Sequence, residues 1–224
     1  MSSHYIRMLF IAIISACISF FISEDIQAQP KDPMTGIQLS TVDFEPPENM
    51  AHQAYLGVSR QNPGDKTFDI NDINADVVLV EIFSMYCPHC QKDAPNMNAF
   101  FNLIQKNELY RDRIKLIGIG VGNSAFEVDF FRKTYNIEFP LFPDPDFKIH
   151  KLLGGVRTPY FIGIKRLKNG SQTVDSSQKA DSSQKVDSSQ TVSDNSLKVF
   201  LSESGGERQP EVFLQQIIKQ ADLQ

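Results

Sequence analysis

The chain has 224 residues, enough for one good-sized domain. A formal charge of −5, a pI of about 5.4 and the absence of a long basic run argue against nucleic acid or an anionic membrane surface as the main partner, and a mean hydropathy of −0.25 points to a soluble globular body. With three cysteines there is no disulfide framework, and with no Trp the core must rely on Phe, Leu, Ile and Val.

Residues 1–28 read as an export segment. Arg7 supplies a short positive n-region, Met8 to Ile22 is nearly unbroken apolar, Ser23-Glu24-Asp25 ends the run, and Ile26-Gln27-Ala28 offers a cleavage site. The run is shorter than the roughly 20 residues that span a bilayer comfortably, so a cleaved signal peptide is the first reading. A lipid anchor is the second, because Ile14-Ser15-Ala16-Cys17 resembles a bacterial lipobox. The third is an uncleaved, short N-terminal membrane anchor. Each reading places the body outside the cytoplasm, periplasmic or otherwise extracytoplasmic, with membrane contact only through this segment.

Residues 29–60 are polar and contain several prolines, and read as a leader with one short strand near Ile37–Val42. Periodic structure is expected from about Phe68, within a domain spanning 61–224. Val77 to Phe83 is a continuous β-branched and aromatic run, the pattern of a strand buried on both faces. Cys87-Pro88-His89-Cys90 follows at once. Gln91 to Asn107 has a helical period, with Ala94, Met97, Phe100, Phe101 and Ile104 on one stripe. Ile114–Gly120 reads as a second buried strand, Ser124 as the N-cap of a helix Ala125–Tyr135, and Phe139–Phe142 as a short strand closed by Pro143. Asp146 is the expected cap of a short helix reaching Leu153, which Gly154-Gly155 stops. Tyr160–Lys165 and Leu197–Ser202 read as an antiparallel pair. Their connection carries, at 169–195, a six-residue repeat rich in Ser, Gln and Asp with almost nothing to bury; such a composition is expected to be disordered. Pro210–Ala221 closes the chain as an amphipathic helix with Val212, Phe213, Ile217 and Ile218 inward. Alternating strands and helices in this order predict an α/β domain whose sheet is mainly parallel.

Cys87 and Cys90 carry the chemistry. At the start of a helix, free N–H groups and the helix dipole favour a thiolate on the first Cys, which lowers its pKa. The second Cys, one turn on, is close enough to close a disulfide. Cys87 is therefore the expected nucleophile and Cys90 the resolving thiol. Pro88 suits the first helical turn, and a donor or cation at His89 would stabilise the thiolate and make the disulfide a better oxidant; the bland alternative is a solvent-facing His89. Zinc is argued against because no second ligand pair accompanies the C-x-x-C. Gly118-x-Gly120-x-Gly122 lacks the context of a nucleotide-binding loop.

From Val77 to Pro95 the sequence resembles the active-site block of the thioredoxin superfamily, in particular its exported TlpA/ResA-like branch. The likeness runs from about Phe68 to the closing helix, apart from the repeat. It implies a thioredoxin-like three-layer fold with a central mixed sheet flanked by helices. It also implies that Glu81, six residues before Cys87, is a buried carboxylate serving proton transfer at Cys90. Pro95 matches the family's mid-helix proline, and Thr158-Pro159 matches its cis-proline, whose loop faces the dithiol and guides substrate. Tyr86 stands where the family usually has Trp. Tyr86, Thr158 and Pro159 are thus expected to contact substrate. The dipeptide Pro88-His89 resembles that of DsbA-type oxidants, so redox direction stays open. The implied activity is thiol–disulfide exchange with exported protein thiols or disulfides, served by a membrane or periplasmic redox partner and needing no cofactor. Two other readings stay open at this point: a copper metallochaperone holding Cu(I) through the two thiolates, and a scaffold that keeps the fold without catalysis.

Overall fold

Strand β1, Val77–Phe83, is buried along its whole length, Glu81 included, as its otherwise apolar run requires of a strand covered on both faces. The structure, a computed structural model, describes residues 38–59, 67–167 and 197–223. All of these fall within the unit Asp32–Gln224. The expected export segment with Cys17 and the repeat at 169–195 lie outside the described residues.

β1 is the centre of a five-stranded sheet. Its partners are β2 (Ile114–Val121), β3 (Leu141–Asp144), β4 (Tyr160–Arg166) and β5 (Leu197–Ser204), in the order β3-β2-β1-β4-β5. The β1–β2 and β2–β3 pairs are parallel, and the β1–β4 and β4–β5 pairs antiparallel. The helices are α1 (Met50–Leu56), α2 (Pro88–Lys106), α3 (Ala125–Tyr135), α4 (Lys148–Leu152) and α5 (Pro210–Gln220). The two parallel crossovers step in the same direction across the sheet, so their common handedness puts α2 and α3 on one face. There Leu79 and Phe83 meet Met97, Phe100, Ile104, Val128 and Phe131, joined by Phe213 and Ile217 of α5. On the other face Val78, Val80 and Ile82 pack on Leu39, Phe44, Leu56, Ile70 and Leu153. The result is the three-layer, mixed-sheet α/β arrangement expected of a thioredoxin-like chain. Among the described residues no helix is long and apolar enough to cross a membrane.

Side-chain alternation along β1 decides what the helix-covered face receives. Val77, Leu79 and Phe83 point toward α2, and so does Glu81 by its period of two. Gly118 and Gly120 lie on the same face of β2. A Cβ at Gly120 would come within 2.8 Å of Val128 and 3.1 Å of Phe83, and one at Gly118 would collide with Leu141. The glycine run therefore serves close packing on the sheet.

Several local expectations are corrected. The segment expected as a strand near Ile37–Val42 forms a 3-10 turn, Gln38–Thr41, with Leu39 fully buried. Pairing occurs instead at Phe44, which exchanges backbone hydrogen bonds with Phe68. Helix α1 was not foreseen, although both of its stops are in the sequence: Asn49 accepts from the Ala51 N–H at 2.8 Å, and Gly57 closes the helix at φ +76°. β3 starts two residues later than expected and contains Pro143. It is an edge strand, and Pro143 sits exposed there, where its missing N–H is not needed by a neighbour. The N-cap position of α4 is Phe147, and it is Asp144 whose carboxylate accepts from the N–H groups of Ile149 (3.1 Å) and His150 (2.9 Å); Asp146 instead pairs with Lys148. In α5, Val212 is 61% exposed and Leu214 takes the inward place beside Phe213 and Ile217.

Candidate active site

The chain leaves the carboxyl end of β1, turns through Ser84–Tyr86 and enters α2 at Pro88. Two neighbouring segments pin this turn. Buried Asn123, from the loop after β2, accepts a hydrogen bond from the Met85 N–H at 2.8 Å, and Gln91 donates to the Met85 carbonyl at 2.7 Å. The Tyr86 hydroxyl donates to Glu127, whose carboxylate also accepts from the Ser124 N–H at 2.7 Å in the capping box of α3. The reactive turn and the start of α3 are thereby one hydrogen-bonded unit.

Cys87 is the N-cap of α2, and its Sγ accepts from the Cys90 N–H at 3.4 Å. Pro88 takes the first helical position, where its missing N–H costs nothing. Cys87 is partly exposed and Cys90 fully buried, and both are free thiols. Partial burial pushes the Cys87 thiol up. That effect is outweighed by hydrogen bonds with the side chains of Thr158 and Cys90 and with the backbone N–H groups of Cys90 and His89, so the net pKa lies below the ordinary thiol value. Cys90 moves the other way. Burial pushes it far above the ordinary range, reinforced by its hydrogen bond to Cys87 and the charge of Glu81. Two thiols one helical turn apart are thus split into an exposed thiolate former and a buried, protonated reserve.

Opposite the dithiol, the Thr158–Pro159 peptide is cis, as the sequence reading expected, and the Thr158 carbonyl lies 3.3 Å from Cys87 Sγ. Behind it, Glu81 is 5% exposed. Burial, followed by the charges of Asp93 and Cys87, pushes its carboxyl up to about 8. Cys87, Cys90, Thr158 and Pro159 are therefore brought together, with Glu81 within electrostatic reach. Tyr86, 65% exposed, stands at the rim. The His89 side chain is exposed, and among the described residues its ring has no hydrogen-bond partner; only its backbone N–H addresses Cys87. Pro95 is exposed within the continuous helix α2.

Sequence reasoning missed Asp93. It is fully buried, its Oδ1 accepts from Asn96 at 3.0 Å, and among the described residues its Oδ2 has no hydrogen-bond partner. The available signal was its spacing of three residues from Cys90, which puts it on the same face of α2. The loop after β5 covers this region. A Cβ at Gly206 would lie 3.3 Å from Pro159 and 3.6 Å from Asp93, Glu207 pairs with Lys92 at 2.7 Å, and the Gly205 N–H donates to the Pro159 carbonyl at 3.2 Å. Arg208, also unforeseen, anchors that loop by stacking on Phe161 and Phe213 and pairing with Glu203 at 2.6 Å. Among the described residues, no group of three or more His, Cys, Asp or Glu is placed to hold a metal ion.

Comparison with known proteins places these features in a family. The AhpC/TSA family profile matches residues 51–179. The thiol-disulfide oxidoreductase ResA of Bacillus subtilis is 23% identical over 86 residues, a match covering 38% of this chain and 45% of ResA, so the chain spans about half the length of that relative. Among solved structures, a putative thiol:disulfide interchange protein DsbE from Chlorobium tepidum is 16% identical with a TM-score of 0.47, covering 70% of this chain and 87% of that one. StoA from Bacillus subtilis is 19% identical with a TM-score of 0.37, covering 45% and 72%. With the profile spanning more than half of its residues, the chain belongs to the AhpC/TSA family.

Proposed function

We propose that this protein is an exported thiol–disulfide oxidoreductase acting on protein thiols and disulfides through Cys87 and Cys90. The observation that carries the reading is the opposite bias on the two thiols: Cys87 lowered and accessible, Cys90 raised and buried. The Cys87 thiolate attacks one sulfur of a substrate disulfide. That S–S bond breaks, one substrate thiolate leaves, and a mixed disulfide forms at Cys87. Cys90 then loses its proton, with the carboxylate of Glu81 as the acceptor, and attacks Cys87 Sγ. The second substrate thiol departs and is protonated, leaving a Cys87–Cys90 disulfide. Two electrons have passed to the substrate. Run in reverse, the same steps oxidise a dithiol, and a redox partner of the matching kind restores the starting state.

Tyr86, Thr158 and Pro159 are the proposed substrate contacts around Cys87. Pro88 and His89 are the proposed tuning residues of the couple, His89 by offering its exposed ring as a further donor to a Cys87 thiolate already held by the His89 backbone N–H. The apolar run before residue 28 supports export, as a signal peptide or an anchor.

The reading is tested by turnover of insulin disulfides, which Cys87→Ala must abolish; retained turnover would refute it. The reduction potential then decides direction. A value near about −270 mV marks a reductase and one near about −120 mV an oxidant. His89→Ala is expected to make the potential more negative, and no change would remove His89 from the account.

A further inference from the structure

The three parallel strands β1, β2 and β3 end at the same edge of the sheet, and each is followed by an exposed aromatic side chain. Tyr86 follows β1 at 65% exposure, Phe126 follows β2 at 77%, and Phe147 follows β3 at 44%, its ring lying over Gly122. Phe130, one turn beyond Phe126 on α3, is 52% exposed. Neither Phe126 nor Phe130 belongs to the two core clusters. The core demand on α3 is met by Val128 and Phe131, so the fold does not account for this pair.

The direction these rings face follows from the helix period. With Val128 and Phe131 inward, Phe126 and Phe130 share the outer side and lean toward the flank that carries Glu127. Glu127 is the residue bonded to the Tyr86 hydroxyl, next to Cys87. The opposite flank carries Asp129, ion-paired with Arg132 and Lys133 at 2.6 Å each. The helix is thus divided into a charged flank facing away from the dithiol and an aromatic flank continuous with it. Solvent-facing aromatic rings clustered beside a reactive group are the pattern of a recognition surface.

We propose that Tyr86, Phe126 and Phe130 form a docking strip for polypeptide substrates whose disulfide is flanked by apolar side chains. The proposal rests on Cys87 being the attacking thiol and adds what selects the substrate. Apolar residues close in sequence to the substrate cystine lie on the aromatic strip while Cys87 reaches the sulfur. A small disulfide reaches Cys87 without touching the strip, and a cystine in a polar segment gains nothing from it.

The test is single-turnover oxidation of the reduced protein by three probes: bis(2-hydroxyethyl) disulfide, a cystine peptide flanked by Leu and Phe, and the same peptide flanked by Ser. Wild type should react faster with the apolar peptide than with the Ser peptide. The Phe126→Ser, Phe130→Ser double variant should lose about tenfold in rate constant with the apolar peptide, the scale of one partly buried aromatic contact. Its rates with the other two probes should not change. Phe126→Leu with Phe130→Leu should recover most of the loss, and an unchanged unfolding midpoint shows that the fold is intact. Equal wild-type rates on the two peptides, or a fall shared by all three probes, would overturn the docking proposal while leaving the Cys87 reading in place. A wild type inert to the small disulfide would overturn both.

Discussion

Replacing Glu81 by glutamine isolates the energetic consequence of placing a carboxyl behind the dithiol. The folded protein holds this group at about 8, against an ordinary value of 4.5, chiefly through burial. Below pH 4.5 the carboxyl is protonated in both folded and unfolded chains and pH has no leverage through it. Between 4.5 and about 8 the unfolded chain releases the proton while the folded one retains it, so stability falls as pH rises. Above about 8 the folded group is itself charged and the full cost is present. An interval of about 3.5 pH units at about 1.4 kcal/mol each sets an upper bound of about 5 kcal/mol. A glutamine side chain cannot ionise, so the stability of the Glu81→Gln variant relative to wild type should climb steadily across this interval. Urea unfolding of both reduced proteins from about pH 5 to about pH 8.5 measures the difference directly. Parallel stability curves for the two proteins would refute the burial argument. The same substitution should remove the inflection near pH 8 from the rate of the Cys90 resolving step.

Native alkylation by iodoacetamide at neutral pH should label Cys87 alone, because its thiolate is favoured and accessible while Cys90 is buried and held protonated. Comparable labelling of Cys90, read by peptide mass mapping, would contradict the assigned roles. Asn123→Ala removes the acceptor for the Met85 N–H and should cost about 1–2 kcal/mol, measured as a lower urea midpoint at unchanged slope; an unchanged midpoint would show that the turn does not depend on it.

The parts of this architecture legible in the sequence are those decided within a short stretch. Val77–Phe83 declared a doubly covered strand by its own run, and Ser124 declared a helix start. The thiol spacing likewise needed only a few residues to be read, while the cis Thr158-Pro159 peptide and the buried Glu81 were legible only through the family resemblance. What escaped depends on segments distant in the chain. Gln91-Lys92-Asp93 reads as a polar helix surface, and Asp93 is buried on the face of α2 that Gly206 and its loop approach. Asp144 serves the start of α4 in place of the nearer Asp146 because the end of β3 fixes its carboxylate against two free N–H groups, a geometry set by strand pairing. Pro143 suggested a strand end, but its place on the sheet edge let the strand continue through it. In α5 the apolar residues at 212, 213, 214, 217 and 218 fit two adjacent stripes, and packing of Phe213 on Phe100 and Phe161 selected the one containing Leu214.

The central claim is that Cys87 attacks and Cys90 resolves. Its most direct test is to incubate reduced Cys90→Ser protein with insulin, quench in acid, and locate any adduct by mass spectrometry of the digest. A stable mixed disulfide on Cys87 is expected, absent from wild type because Cys90 releases it and absent from Cys87→Ala. No adduct on Cys87, or an equally stable adduct on Cys90 in the Cys87→Ala protein, would contradict it.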